Sequence, residues 1–293
     1  MKTSTSHGAI AKITGDEKAV EMIARAGFDG WDVSLCGMWI YDWGARVFKP
    51  NDASVLSGSN YLSHMRHLRR IGEDNGIVCN QSHAPYPTLL SKGKEAEYYF
   101  KRAIECTAEA GGNICVIHPD NDATAEQNAE YYETLLPFAK EHGVKIATEN
   151  MWNWDVEKDE ACFAACGTHQ DFKAHLDALP DDYFVACLDI GHAEMRGTNT
   201  TAVDMIYTLG KKIEALHIHD VDKHYDNHQI PFSLNVDFEQ IAKAFRDIGY
   251  DGWFTLEAGN YINQGGYTIE NVFDGVCDLH NAVAKFERMV IGE

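Results

Sequence analysis

Apolar positions along this chain alternate between two spacings, one with the period of a helix and one of short strand-like runs. Met1–Ser6 reads as a first strand. Val20, Ile23 and Ala24 share a helical face that stops at Gly27, and Phe28–Leu35 follows as a strand. After an aromatic-rich loop, Cys36–Ser57, a helix marked by Tyr61, Met65 and Leu68 leads into strand Gly76–His83. Ala96, Tyr99, Phe100, Ala103 and Ile104 predict the next helix, before strand Asn113–His118. Ala129, Tyr132, Leu136 and Ala139 predict another, closed by Gly143. Strand Val144–Glu149, a loop holding Trp152, Trp154 and Cys162, helix Asp171–Leu179 and strand Tyr183–Asp189 continue the pattern. Helix Thr201–Leu209 precedes a strand from Ile213 to His217. Asp237 and Gln240 resemble a capping box before a helix carrying Phe238, Ile241 and Phe245. Strand Trp253–Glu257 and a long helix through Val272, Leu279 and Phe286 complete the series. Eight strand–helix units predict an α/β chain, with residues 1–293 forming one (β/α)8 TIM barrel domain.

A short echo supports the pattern. Gly27-Phe-Asp-Gly-Trp31 and Gly249-Tyr-Asp-Gly-Trp253 place the same helix stop and turn before a strand.

Composition narrows the function classes. A net charge of −20 opposes association with phosphate polyanions, so nucleic acid is not an expected partner. No apolar run is long enough to span a bilayer, and Met1–Ser6 is too polar for a signal region. The eight cysteines form no CxxC pair, which suits a reduced cytoplasmic protein. A homo-oligomer stays open.

The candidate chemistry lies where a barrel keeps its active site, at the C-terminal ends of the strands. Those ends carry His83, His118, Glu149, Asp189, His217 or His219, and Glu257. His192 follows in Leu-Asp-Ile-Gly-His, and Asp226 and His228 follow in a polar loop. Three carboxylates and one imidazole suit a divalent ion such as Mn, Co, Mg or Zn. The strand-7 ligand has two registers, because His217-Ile-His-Asp220 and His219-Asp-Val-Asp222 share one spacing. His217 is preferred because it lies inside the apolar run. Glu149 and Glu257, from well-separated strands, are placed to move protons on a substrate. Trp39, Tyr41, Trp43, Trp152 and Trp154 are available to cover a small polyol, and Lys49, Lys92, Arg196 and Lys223 to meet an anion.

His83-Ala-Pro-Tyr86, Val116-Ile-His-Pro119, Thr148-Glu-Asn150, Leu188-Asp-Ile-Gly-His192, Leu216-His-Ile-His-Asp220, Asp226-Asn-His228 and Thr255-Leu-Glu257 together resemble the xylose isomerase-like TIM-barrel superfamily. The resemblance implies a sugar or sugar-phosphate isomerase or epimerase working through an enediolate on a small carbohydrate. By its ketose epimerase branch, Glu149, Asp189, His217 and Glu257 would bind one metal and the two glutamates would be the acid/base pair. His83, His118, His192, His219, Asp226 and His228 would bind substrate or further metal. The endonuclease IV type is also similar at His83, His118, Glu149, Asp189, His192, His217, Asp226, His228 and Glu257, enough for three zinc ions. The resemblance thus leaves a phosphodiesterase, or an inosose dehydratase-like lyase, as the alternative.

Overall fold

The computed structural model describes residues 1–292. Eight parallel strands form the barrel: β1 (Lys2–Ser6), β2 (Gly30–Ser34), β3 (Val78–His83), β4 (Ile114–Val116), β5 (Lys145–Glu149), β6 (Phe184–Asp189), β7 (Ile213–His217) and β8 (Trp253–Leu256). They follow one another in chain order around the sheet, and β1 pairs with β8 through Lys2↔Trp253 to Thr5↔Leu256. The last seam, β7 to β8, closes beyond β7: Ile218 N donates to Thr255 O and Glu257 N donates to Ile218 O. Polar Met1–Ser6 forms a strand because both neighbours satisfy its backbone, and Asp29 of the first Gly-Phe-Asp-Gly-Trp segment accepts from Thr3 N.

Outside lie the helices α1 (Asp16–Ala26), α2 (Tyr61–Asp74), α3 (Gly93–Glu109), α4 (Ala125–Glu141), α5 (His169–Ala178), α6 (Ala202–Leu209), α7 (Phe238–Asp247) and α8 (Val272–Ile291). Their apolar stripes pack on the outward strand residues to make the main core. Gly27 ends α1 at φ 105°, and Gly249 repeats that left-handed turn after α7 at φ 66°. Asp237 caps α7 by accepting from Gln240 N, but the Gln240 amide donates to the Asp237 carboxylate rather than to its backbone, so the predicted box is one-sided. The reciprocal box is Thr124 with Gln127 at α4.

Side-chain alternation sets the barrel interior. Val116, Ala147, Val185, Cys187 and Ala215 form a second, small apolar cluster. The same period carries that face to His118, Glu149, Asp189 and His217. The strands therefore aim these four groups at one point because the residues two positions earlier already pack inside.

The two long loops differ from expectation. Each contains a hairpin, Trp39–Asp42 with Val47–Pro50 and Asn153–Asp155 with Glu160–Cys162, so their backbone groups pair locally.

Candidate metal centre

Glu149 and Asp189 are fully buried, as are His217 and His219. One oxygen of Glu149, Oε2, lies 3.2 Å from His118 Nε2, 3.2 Å from His217 Nδ1 and 3.9 Å from His83 Nε2. Glu257, just past β8, places Oε2 3.3 Å from the same His217 nitrogen. Glu149, Asp189, His217 and Glu257 each offer a ligand atom, all within 4.8 Å of one another. The structure thus brings the expected four together in the His217 register.

His219 points elsewhere. Its Nε2 lies 3.1 Å from Asp189 Oδ2, and its ring stacks on His228 at 4.1 Å. The ring also covers Gly191, where a β-carbon would overlap it. His192, His219, Asp226 and His228 form a second group within 4.8 Å, and His83, His118 and Glu149 a third.

The chemistry of these donors fits divalent ions. A backbone carbonyl only accepts, so the ring nitrogen that meets one must carry the proton. His83 Nδ1 donates to Ala84 O (2.7 Å), His192 Nδ1 to Asn150 O (2.9 Å) and His228 Nδ1 to Glu257 O (2.8 Å). Each thereby turns Nε2 toward a carboxylate, the arrangement by which proteins present imidazole to a metal. Buried atoms without a hydrogen-bond partner lie in these groups: both oxygens of Glu149, His118 Nε2 and His217 Nδ1 around Glu149, and Asp226 Oδ1 in the second group. Such atoms are costly when isolated, and a cation within each group would satisfy them.

Electrostatics agree. Burial alone would raise the Glu149 carboxyl, but His217 and His118 hold it well below the usual carboxylate range. Burial likewise opposes ionisation of Asp189, which His192 and His219 hold low. Desolvation would lower His217 and His192. The surrounding carboxylates, with the Cys187 thiol at His217, push both well above the usual imidazole value.

The site opens into a cavity of about 1090 Å³ lined by residues following all eight strands. Of the five expected aromatic covers, Trp43 and Trp152 line it. Trp39 is instead buried against Phe48, Tyr99 and Phe100, and Trp154 stacks on Tyr225. Lys49, Lys92, Arg196 and Lys223 do not line it; three are paired with Asp42, Glu160 and Glu194 respectively, leaving Lys92 aside.

Three groups near the centre escaped the sequence reading. Asp32 on β2 is fully buried with both oxygens unpartnered, and burial raises its carboxyl to about 6 against the pull of His217 and His83. Cys36 places Sγ 3.5 Å from His83 Nδ1. His7, after β1, accepts from Ser34 N and faces Asp16. The signal for Asp32 was present as an acid inside an apolar strand.

The sequence model of the family described as xylose isomerase-like TIM barrel matches residues 20–272. A protein of Methanocaldococcus jannaschii described as uncharacterized is 23% identical over 261 residues, 83% of this chain and 78% of that protein. Among solved structures, a D-tagatose 3-epimerase-like protein superposes with TM-score 0.72 at 18% identity, over 100% of this chain and 99% of that one. A D-psicose 3-epimerase determined with D-fructose gives 0.71 at 18% identity, over 100% of both chains. At these identities the structural likeness establishes the fold.

Proposed function

The chain belongs to the xylose isomerase-like TIM-barrel family, and from that premise we propose that it is a metal-dependent sugar isomerase or epimerase that works by proton transfer on a small carbohydrate. Glu149, Asp189, His217 and Glu257 would hold one divalent ion. When bound, the ion would polarise a substrate carbonyl and its neighbouring hydroxyl and so acidify the adjacent C–H. The epimerases among the similar folds support this reading.

The observation that carries it is the convergence of two carboxylates, from separate strands, on one imidazole nitrogen. His217 Nδ1 lies 3.2 Å from Glu149 and 3.3 Å from Glu257, and both acids line the cavity. The two acids arise on β5 and just beyond β8, with β6 and β7 between them. A sugar lying between them meets one carboxylate on each side. One removes the proton beside the carbonyl, and the other returns a proton to the opposite face or to the neighbouring carbon. Glu149 is ready as a base because His118 and His217 keep it ionised despite its burial. His83, with Nδ1–H fixed on Ala84 O, directs Nε2 at both carboxylates, 3.9 Å from Glu149 and 4.0 Å from Glu257. It is placed to orient a substrate hydroxyl. The floor is buried, and Trp152 lines the cavity beside it.

A second reading has its own support. The His83–His118–Glu149 and His192–His219–Asp226–His228 groups provide for further ions, as a zinc phosphodiesterase would need. Metal stoichiometry separates the two. Protein purified without chelator and carrying one ion, whose removal abolishes and whose return restores action on free ketoses, supports the sugar enzyme. Three zinc ions with nicking of abasic DNA support the other.

No helix among the described residues is long and apolar enough to cross a membrane. We place the protein in the cytoplasm on its reduced cysteines.

A further inference from the structure

The candidate ligands are unevenly distributed around the barrel. Every residue of the three groups above follows β3, β4, β5, β6, β7 or β8; β1 and β2 contribute none. The cavity nonetheless extends over β1 and β2, where Ser6, Lys12, Asp16, Ser34, Trp43 and Leu56 line it. A hexose of twelve heavy atoms occupies on the order of 200 Å³ at interior packing density. Held between Glu149 and Glu257, it would leave most of the 1090 Å³ unfilled, the space over β1 and β2 included.

That sector has the character of a sugar-binding wall. Trp43 is 68% exposed, an unusual place for an indole, yet it is braced. Tyr41 meets it edge-to-face at 4.8 Å, Phe48 backs Tyr41 at 4.9 Å, and buried Trp39 backs Phe48 at 4.7 Å. An indole held outward by a rigid aromatic stack is a platform for the apolar face of a pyranose ring. In this sector Lys12 supplies the ammonium, and the Asp16 carboxylate is taken up by His7 and His64.

Charge over the whole cavity points the same way. Asp16, Asp120, Asp122, Glu149, Asp226 and Glu257 line it, against one ammonium and, among the described residues, no guanidinium. A phosphate ester brings nearly two negative charges at neutral pH. The lining histidines are already set against Asp16, Glu149, Asp226 and Glu257, which leaves Lys12 to meet a phosphate ester while Asp120 and Asp122 oppose one, so an uncharged sugar suits this wall better.

Resting on the isomerase or epimerase reading, we infer that the substrate is an uncharged, glycosylated keto sugar. Its keto residue lies between Glu149 and Glu257, and its glycosyl ring lies over β1 and β2 on Trp43.

The test compares metal-reconstituted protein in D₂O on lactulose, turanose and isomaltulose with its action on D-fructose, D-tagatose and D-fructose 6-phosphate. Deuterium entry into the sugar is followed by NMR. At least one glycosylated ketose should show a KM about tenfold below that of the free ketoses, with the phosphate poorest. Trp43→Ala should collapse that ratio toward one and Trp43→Phe should recover part of it. An unchanged thermal midpoint in both variants would show that folding is intact, as expected for an exposed side chain. Preference for the phosphate or a free ketose, or a ratio that survives Trp43→Ala, would overturn the inference. Calorimetry with lactulose, turanose and isomaltulose separates this failure from failure of the reaction itself. Trp43-dependent binding without any deuterium exchange would retire the isomerase reading and keep the glycosyl site. Absence of both binding and exchange would retire the glycosyl site.

Discussion

Gly191→Ala tests whether His219 acts by position. The substitution is ordinarily favourable: Gly191 lies in a short helix, Ile190–Glu194, where alanine gains up to about 1 kcal/mol. Here the new β-carbon would overlap Cε1 of His219 and come within 2.5 Å of Nδ1 and 2.6 Å of Nε2. Van der Waals contact needs roughly 3.5 Å, so the ring must retreat by about 1.5 Å. It has little room, being fully buried and stacked on His228 at 4.1 Å. A retreat of that size carries the 3.1 Å contact with Asp189 beyond hydrogen-bond range. Overpacking of this kind costs about 1–3 kcal/mol, which for a chain of this size lowers the thermal midpoint by on the order of 2–5 °C. Loss of the group orienting Asp189 should weaken metal binding about 10–100-fold. Calorimetric unfolding of the metal-free protein and competition against a chromogenic chelator measure the two effects. In a His219→Ala background the clash disappears, and Gly191→Ala should become neutral or stabilising. A stabilised single variant with undiminished metal affinity would refute the positioning role.

Glu149→Gln and Glu257→Gln should each lower turnover by about 10²–10⁴-fold, with metal content measured alongside because both are ligand candidates. Turnover retained in either at full metal occupancy would remove that residue from proton transfer. Metal uptake should release protons, since in the metal-free protein burial opposes protonation of His83 and His228, but Cys36 and then Glu257 and Glu149 raise His83, and Asp226 and Glu257 raise His228, both to about 10. Affinity should therefore rise with pH between about 6 and 9, and the binding heat should depend on the buffer's ionisation enthalpy; a buffer-independent heat would contradict this. Asp32→Asn addresses the buried acid under the site. Its folded-state value of about 6 lies above the ordinary 3.8, so ionisation destabilises the fold as pH rises through that window. The variant's stability relative to wild type, measured metal-free in urea, should improve by about 3 kcal/mol between pH 3.5 and pH 8. A pH-independent difference would show that Asp32 finds a partner.

The barrel was legible because most units repeat a local instruction, a helical stripe, a glycine stop and a short apolar run, although α5 ends without a glycine and β1 is polar. Strand-end chemistry was legible for a related reason. His118, Glu149, Asp189 and His217 continue the inward alternation of Val116, Ala147, Cys187 and Ala215, and that alternation is a property of sequence. Where two readings shared one spacing, at His217 and His219, only the apolar run around His217 favoured it, because both leave the strand on the same side. What separates them is which neighbours they meet: Glu149 and Glu257 for the first, Asp189 and His228 for the second. The hairpins in the long loops were not legible, since their strands of three and four residues are too short to show a period. Nor was the sorting of the tryptophans. Trp39 and Trp43 lie four residues apart, and only packing against α3 through Tyr99 and Phe100 buries the first while the second stays exposed.

The central claim is that this cavity moves protons on carbon. Protein stripped of metal and reloaded with a single equivalent of Mn or Co should be incubated in D₂O with free and glycosylated ketoses. Recovered sugar should carry deuterium at a carbon beside the carbonyl, with incorporation lost on chelation and restored on reloading. Isomerised or epimerised sugar without solvent deuterium, or inert ketoses alongside metal-dependent nicking of abasic DNA, would contradict the account.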